Sequence, residues 1–209
     1  MTEAQWWTAN DSGPMLEFLQ GKASCRKLRL FNCHCCRRLN NVIRGERNSI
    51  VLAAAEEFAE GLITSEEMES RSTQWFDFDY PFPLAGTWQR ALHLATMTDS
   101  EIRTRLIAAT AAISSGNQEK EKAIQANLLR DIFGPLPFRP VTFDPSLLTS
   151  SVLALAAGIY SDKAFDPMPI LADALQDAGC DNEEILNHCR GESIHVRGCF
   201  VVDALLKKS

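Results

Sequence analysis

Apolar residues in this chain recur at spacings of three and four, and that period narrows its fold more than any other feature. Between residues 24 and 42, Leu28, Phe31, Cys35, Leu39 and Val42 fall on one helical face. The spacing returns with Ile102, Leu106, Ala109 and Ile113 in 100–114, and with Ile124, Leu128, Leu129 and Ile132 in 118–133. Each set predicts a helix with the named residues turned to the core.

Helix punctuation supports this reading. Thr2 with Gln5 and Asp181 with Glu184 are spaced as capping boxes, Asp144-Pro145 and Asp166-Pro167 as helix starts, and Gly21, Gly61, Gly179 and Gly191 as helix ends. Further helices are expected over 15–20 behind Pro14, from Asn48 to about Glu60, from Ser65 and over 87–96. The aromatic, proline-bearing stretch 75–86 is expected to be an ordered connector. Strands and helices do not alternate, which excludes a parallel sheet and allows at most a short strand over 141–143. The fold class expected is all-α: a single-core, bundle-like domain of eight to ten helices over 1–209, with the proline-rich connector 134–144 as the internal boundary.

Hydrophobic content of 45% and charged content of 23% suit a globular domain, and a net charge of −6 disfavours a nucleic-acid binder taken as a whole. The first residues carry no basic, apolar leader pattern, and no eighteen-residue apolar run occurs, so the expectation is a cytoplasmic protein without a membrane partner. Seven cysteines without framework spacing point to reduced thiols.

Against the acidic whole, one segment is basic. Lys22, Arg26, Lys27, Arg29, Arg37, Arg38, Arg44 and Arg47 stand near a single acid, Glu46. Arg26, Lys27, Arg37 and Arg38 are therefore candidate partner-binding residues, for a protein or alternatively a nucleic acid. The competing reading, a helix face paired with acids elsewhere, is favoured because no aromatics interleave the cations. Cys33-His34-Cys35-Cys36 in the same helix is formally a C-x-x-C, half of a metal site at most; a packed Cys35 with partly exposed neighbours is the expected arrangement.

Cys180, Cys189, His195 and Cys199 fall as C-x8-C-x5-H-x3-C, a zinc-like spacing. A helix over 182–190 would separate Cys180 from Cys189 by roughly 12 Å, too far for both sulfurs to reach one ion. That leaves Cys189, His195 and Cys199 as candidate zinc ligands, with a fourth from His188 or from elsewhere in the chain. Core packing of both cysteines is the competing reading, and the usual burial of cysteine favours it. An enzymatic alternative would use Cys199 as nucleophile, His195 as base and Asp203 one turn on. No Walker A, Rossmann glycine pattern, HExxH or G-x-S-x-G is present. The leading functional expectation is a non-enzymatic helical module that binds another macromolecule; the alternative is a small structural zinc-binding domain.

The phrases PMLEFLQGKAS, KLRLFNCHCCRR, LLRDIFGPLPFRPVTFDP and PILADALQDAGCDNEEILNHCRGESIHVRGCFVVDALL resemble a large paralogous group of planctomycete proteins without an established function. The resemblance covers the start and the last eighty residues or so and implies no activity. The group's usual tail has tryptophan at Phe200 and proline and glycine at Glu192 and Ser193, which implies a looser turn before His195 here.

Overall fold

The computed structural model describes residues 1–38, 46–73 and 101–208. Among them are eleven α-helices, one 3-10 turn and no strand, so the all-α expectation holds. By contacts the chain divides into two compact units, Met1–Leu129 and Arg130–Ser209.

The first unit opens with α1 (Glu3–Thr8), capped as expected by the reciprocal Thr2 and Gln5 bonds. Helix α2 (Ser12–Phe18) starts earlier than Pro14 suggests, because the Asp11 side chain accepts from Gly13 N–H and caps it. Helices α3 (Cys25–Arg38), α4 (Glu46–Ala59), α5 (Ser65–Thr73) and α6 (Glu101–Ser114) follow, and α7 (Gln118–Phe133) begins within this unit. Leu39, Val42, Arg44, the connector 75–86 and the helix expected over 87–96 lie outside the described residues.

Helix α3 packs on α4 and α6, α4 on α5, and α2 on α6. Leu28, Phe31 and Cys35 of α3 are buried as their spacing predicts. Cys33 and Cys36 are equally buried, which corrects the expectation of partly exposed neighbours. Helix α6 turns the opposite way from its reading: Leu106, Ala109 and Ile113 are exposed while Ile107, Ala108 and Ala111 are buried. The physical reason is polar. Thr104 shares a face with Ile107, Ala108 and Ala111, and its hydroxyl accepts a buried 3.1 Å hydrogen bond from Asn32 of α3, fixing that face inward.

The second unit takes up the end of α7 and then the connector. Gly134, at φ +49°, turns the chain after α7, and a Cβ there would lie 2.4 Å from the Phe200 ring. Only glycine allows both the turn and that approach. After a 3-10 turn (Pro145–Leu147) capped by Asp144 come α8 (Ser150–Asp162), α9 (Met168–Asp177), α10 (Glu183–Arg190) and α11 (Phe200–Leu205). Helix α9 packs on α8 and α10, and α11 on α8. Their shared core includes Met168, Leu171, Leu175, Leu186, Phe200 and Val202.

Two caps differ from expectation. Asp166 makes no cap: Pro167 is the N-cap residue of α9 and no side chain bonds there. At α10 the cap is Asn182 rather than Asp181, its Oδ1 accepting from Glu184 and Ile185 N–H at 3.1 and 3.3 Å. Gly191 ends α10 in an extended conformation, whereas Gly179 and Gly198 adopt positive φ near 99°. Arg190 bonds Asp173 and Gln176 at 2.6 and 2.7 Å, and Arg139 pairs with Glu184, so α10 is tied to α9 and to the connector.

Candidate metal centre

Four polar side chains of the second unit meet inside it. Asp131 comes from the last turn of α7, His188 from α10, His195 from the loop after Gly191, and Cys199 from the N-cap position of α11. One ligand atom from each lies within 4.8 Å of the other three.

Asp131 Oδ1 is the hub. It lies 2.8 Å from His195 Nδ1 and 3.2 Å from His188 Nε2, while Oδ2 accepts the Val196 N–H at 2.9 Å. His188 Nε2 also lies 3.3 Å from Cys199 Sγ. The imidazole rings meet edge to face, with centroids 4.7 Å apart, and Phe200 packs against His188 at 4.4 Å. Gly134 admits that same Phe200 ring, so the turn after α7 helps set the wall behind His188. Val196 C=O accepts from Cys199 N–H at 2.9 Å, closing the loop that brings His195 and Cys199 to one place.

Burial is deep, with side-chain exposures of 1% for Asp131, 5% for His195 and 12% for His188, and Cys199 fully enclosed. Burial pushes the Asp131 carboxyl up, but hydrogen bonds and charge from His188 and His195 outweigh it and hold it at about 2. Burial, with the Asp131 charge added, pushes the Cys199 thiol well above its ordinary range. Asp131 is therefore an anion at neutral pH, and Cys199 by itself keeps its proton.

The donor set is one carboxylate oxygen, two imidazole nitrogens and one sulfur, each a zinc ligand type. Bond lengths of about 2.0–2.3 Å place the ligand atoms of a tetrahedral ion roughly 3.3–3.7 Å apart. The contacts of 2.8, 3.2 and 3.3 Å need to open by fractions of an ångström, and pairs toward the 4.8 Å limit of the group to close by about an ångström.

Of the ligands expected from sequence, His195 and Cys199 join this group and Cys189 stays outside it. Cys189 is buried in the apolar core beside Leu186, where burial, with Asp131 and Cys180 adding to it, pushes its thiol up to about 12. His188 fills the place left for a fourth ligand. Asp131 is absent from the sequence reading: its place three residues after Leu128 and one before Ile132 marks it as an acid on a buried face, but nothing local marks it as a partner of the tail. Asp203, buried on α11, is outside the group.

The basic residues of α3 have acids as neighbours. Arg26 meets Glu60 at 3.1 Å and Arg37 meets Glu56 at 2.8 Å, while Arg38 grips both oxygens of Glu121 between 3.0 and 3.2 Å; Lys27 is buried. A 440 Å³ cavity among α2, α6 and α7 of the first unit has Leu16, Leu106 and Ala112 in its lining. Its polar wall is internally bonded, Lys122 to Asp11 at 3.0 Å and Ser12 to Gln125 at 2.8 Å. No helix among the described residues is long and apolar enough to cross a membrane.

Comparison with known proteins returned no matching family model, no matching curated protein and no matching solved structure, so the functional reading stands on the geometry of this group.

Proposed function

We propose that residues 130–209 form a non-catalytic helical module that binds a transition-metal ion, with zinc the ion best suited, through Asp131, His188, His195 and Cys199. One observation carries this reading: Asp131 Oδ1 and Cys199 Sγ both address the same nitrogen, His188 Nε2, at 3.2 and 3.3 Å. If Nε2 carries a proton it donates to the carboxylate and can no longer accept from the thiol. If it does not, it accepts from the thiol and faces the carboxylate lone pair to lone pair. A metal ion at the common focus resolves the conflict, since all the atoms then present lone pairs to one cation.

The same contacts disfavour a cysteine nucleophile. In a thiol–imidazole–carboxylate relay the acid bonds the ring nitrogen opposite the one that takes the thiol proton. Here both share a nitrogen, and Cys199 is enclosed and holds its proton. Elemental analysis of the 209-residue chain, purified without chelator and then incubated with zinc and desalted, tests the proposal. One ion per chain, lost in His188→Ala, is expected; a metal-free protein that takes up no zinc would overturn it.

A further inference from the structure

Taking Asp131, His188, His195 and Cys199 as metal ligands, as proposed above, we infer that the ion is divalent and four-coordinate in a closed site, with Asp131 bound through one oxygen and Cys199 as thiolate. Its role is to clamp the loop after α10 and the start of α11 to the end of α7, with no position left for a substrate.

Three observations lead there. First, Asp131 turns one oxygen to the group: Oδ1 faces His188 and His195 while Oδ2 accepts the Val196 N–H at 2.9 Å, an arrangement that favours monodentate binding, so the protein supplies four donors. Catalytic zinc sites usually keep three protein ligands and an open fourth position, whereas structural sites are filled by four. Second, the site is sealed, with Asp131 and Cys199 almost wholly inaccessible and the Phe200 ring standing against His188. An additional water or substrate would need a way past those side chains.

Third, charge selects the ion. One carboxylate and one thiolate contribute two negative charges, and the imidazoles bind as neutral ligands. A divalent cation brings the buried assembly to neutrality. A monovalent ion such as Cu(I) would leave a net negative charge in the interior and a trivalent ion a net positive one, both costly without a partner. The ligands also span the unit: Asp131 lies far upstream of the other three, so one ion closes a long loop between α7 and the tail.

Cobalt(II) titration of the chelator-treated 209-residue chain tests this. The expected result is one cobalt per chain with the intense visible bands of four-coordinate cobalt and a near-ultraviolet thiolate-to-cobalt band, both lost on adding zinc. Cys199→Ser should lose the charge-transfer band, and Cys189→Ser should keep it. X-ray absorption of the zinc-loaded wild type counts neighbours without any variant, with one sulfur and three nitrogen or oxygen atoms expected. Bound cobalt with only weak six-coordinate bands, a thiolate band that survives Cys199→Ser, or a zinc shell with two sulfurs overturns the closed site while leaving metal binding in place. No uptake of cobalt or zinc overturns both.

Discussion

Helix α3 and the tail from α10 to α11 both crowd cysteine, histidine and charge into short stretches, yet their polar atoms end in different situations. On α3 each arginine of the candidate surface finds a carboxylate: Arg26 with Glu60, Arg37 with Glu56, Arg38 with Glu121. Cation answers anion there, and the packed cysteines stay protonated, burial pushing Cys36 up to about 12. At the tail the polar atoms compete for one another. A carboxylate oxygen, two ring nitrogens and a sulfur lie within 4.8 Å of one another, and His188 Nε2 faces both the Asp131 carboxylate and the Cys199 sulfur. Enrichment in metal-ligating residue types is thus a poor guide to a site; convergence of lone pairs is a better one.

The largest effect that would sharpen this contrast is expected from Asp131→Ala. Removing the hub leaves two buried imidazoles without their carboxylate and an ion without a ligand. Breaking a buried charged group in this way typically costs on the order of 3–5 kcal/mol. Calorimetry should show a lower melting temperature, and elemental analysis no bound metal. Retention of the ion in that variant would break the contrast, because the tail would then be another self-satisfied cluster.

How much of this was legible before the structure follows from the same physics. Periodicity and caps identified α1, α3, α6 and α7, since a capping box such as Thr2 with Gln5 is local and needs no tertiary information. The inward face of α6 was not legible: Leu106, Ala109 and Ile113 have the same three-and-four spacing as Thr104, Ile107 and Ala111, and tertiary contacts such as those of Asn32 with Thr104 and Gln125 with Ala108 choose between them. That His195 and Cys199 come together was legible because Gly198 lets the chain turn tightly between them. Asp131 was not, because its partners lie far along the chain and no local pattern joins them. Cys189 was misplaced by proximity in sequence. Its neighbour His188 points at the site and Cys189 into the core, as adjacent residues about 100° apart on a helix must.

A smaller effect is expected on the α3 side. Arg38→Ala strands Glu121, whose side chain is 6% exposed, without its two-pronged partner. A stranded buried polar group costs about 1–3 kcal/mol, and partial exposure of Arg38 puts the expectation toward the lower end. Denaturant melts should show that loss, and a double-mutant cycle with Glu121→Ala should recover much of it as coupling. Metal content should not change. If Arg38→Ala instead emptied the site, the separation between a structural cluster and a ligand site would fail.

The smallest effect separates adjacent residues within the tail itself. Cys189→Val replaces a thiol in an apolar core with a side chain of similar volume, so a loss of about 1 kcal/mol or less is expected, with the metal retained. Cys199→Val changes volume just as little but removes the only sulfur of the ligand group. Because binding energy at such a site is also folding energy, its melting temperature should fall further than that of Cys189→Val and should no longer respond to chelator. The two thiols are both buried and differ chiefly in what surrounds the sulfur. Equal shifts in the two variants, with no chelator effect in the wild type, would show that Cys199 is packing too and that His188 and Asp131 settle their conflict without an ion.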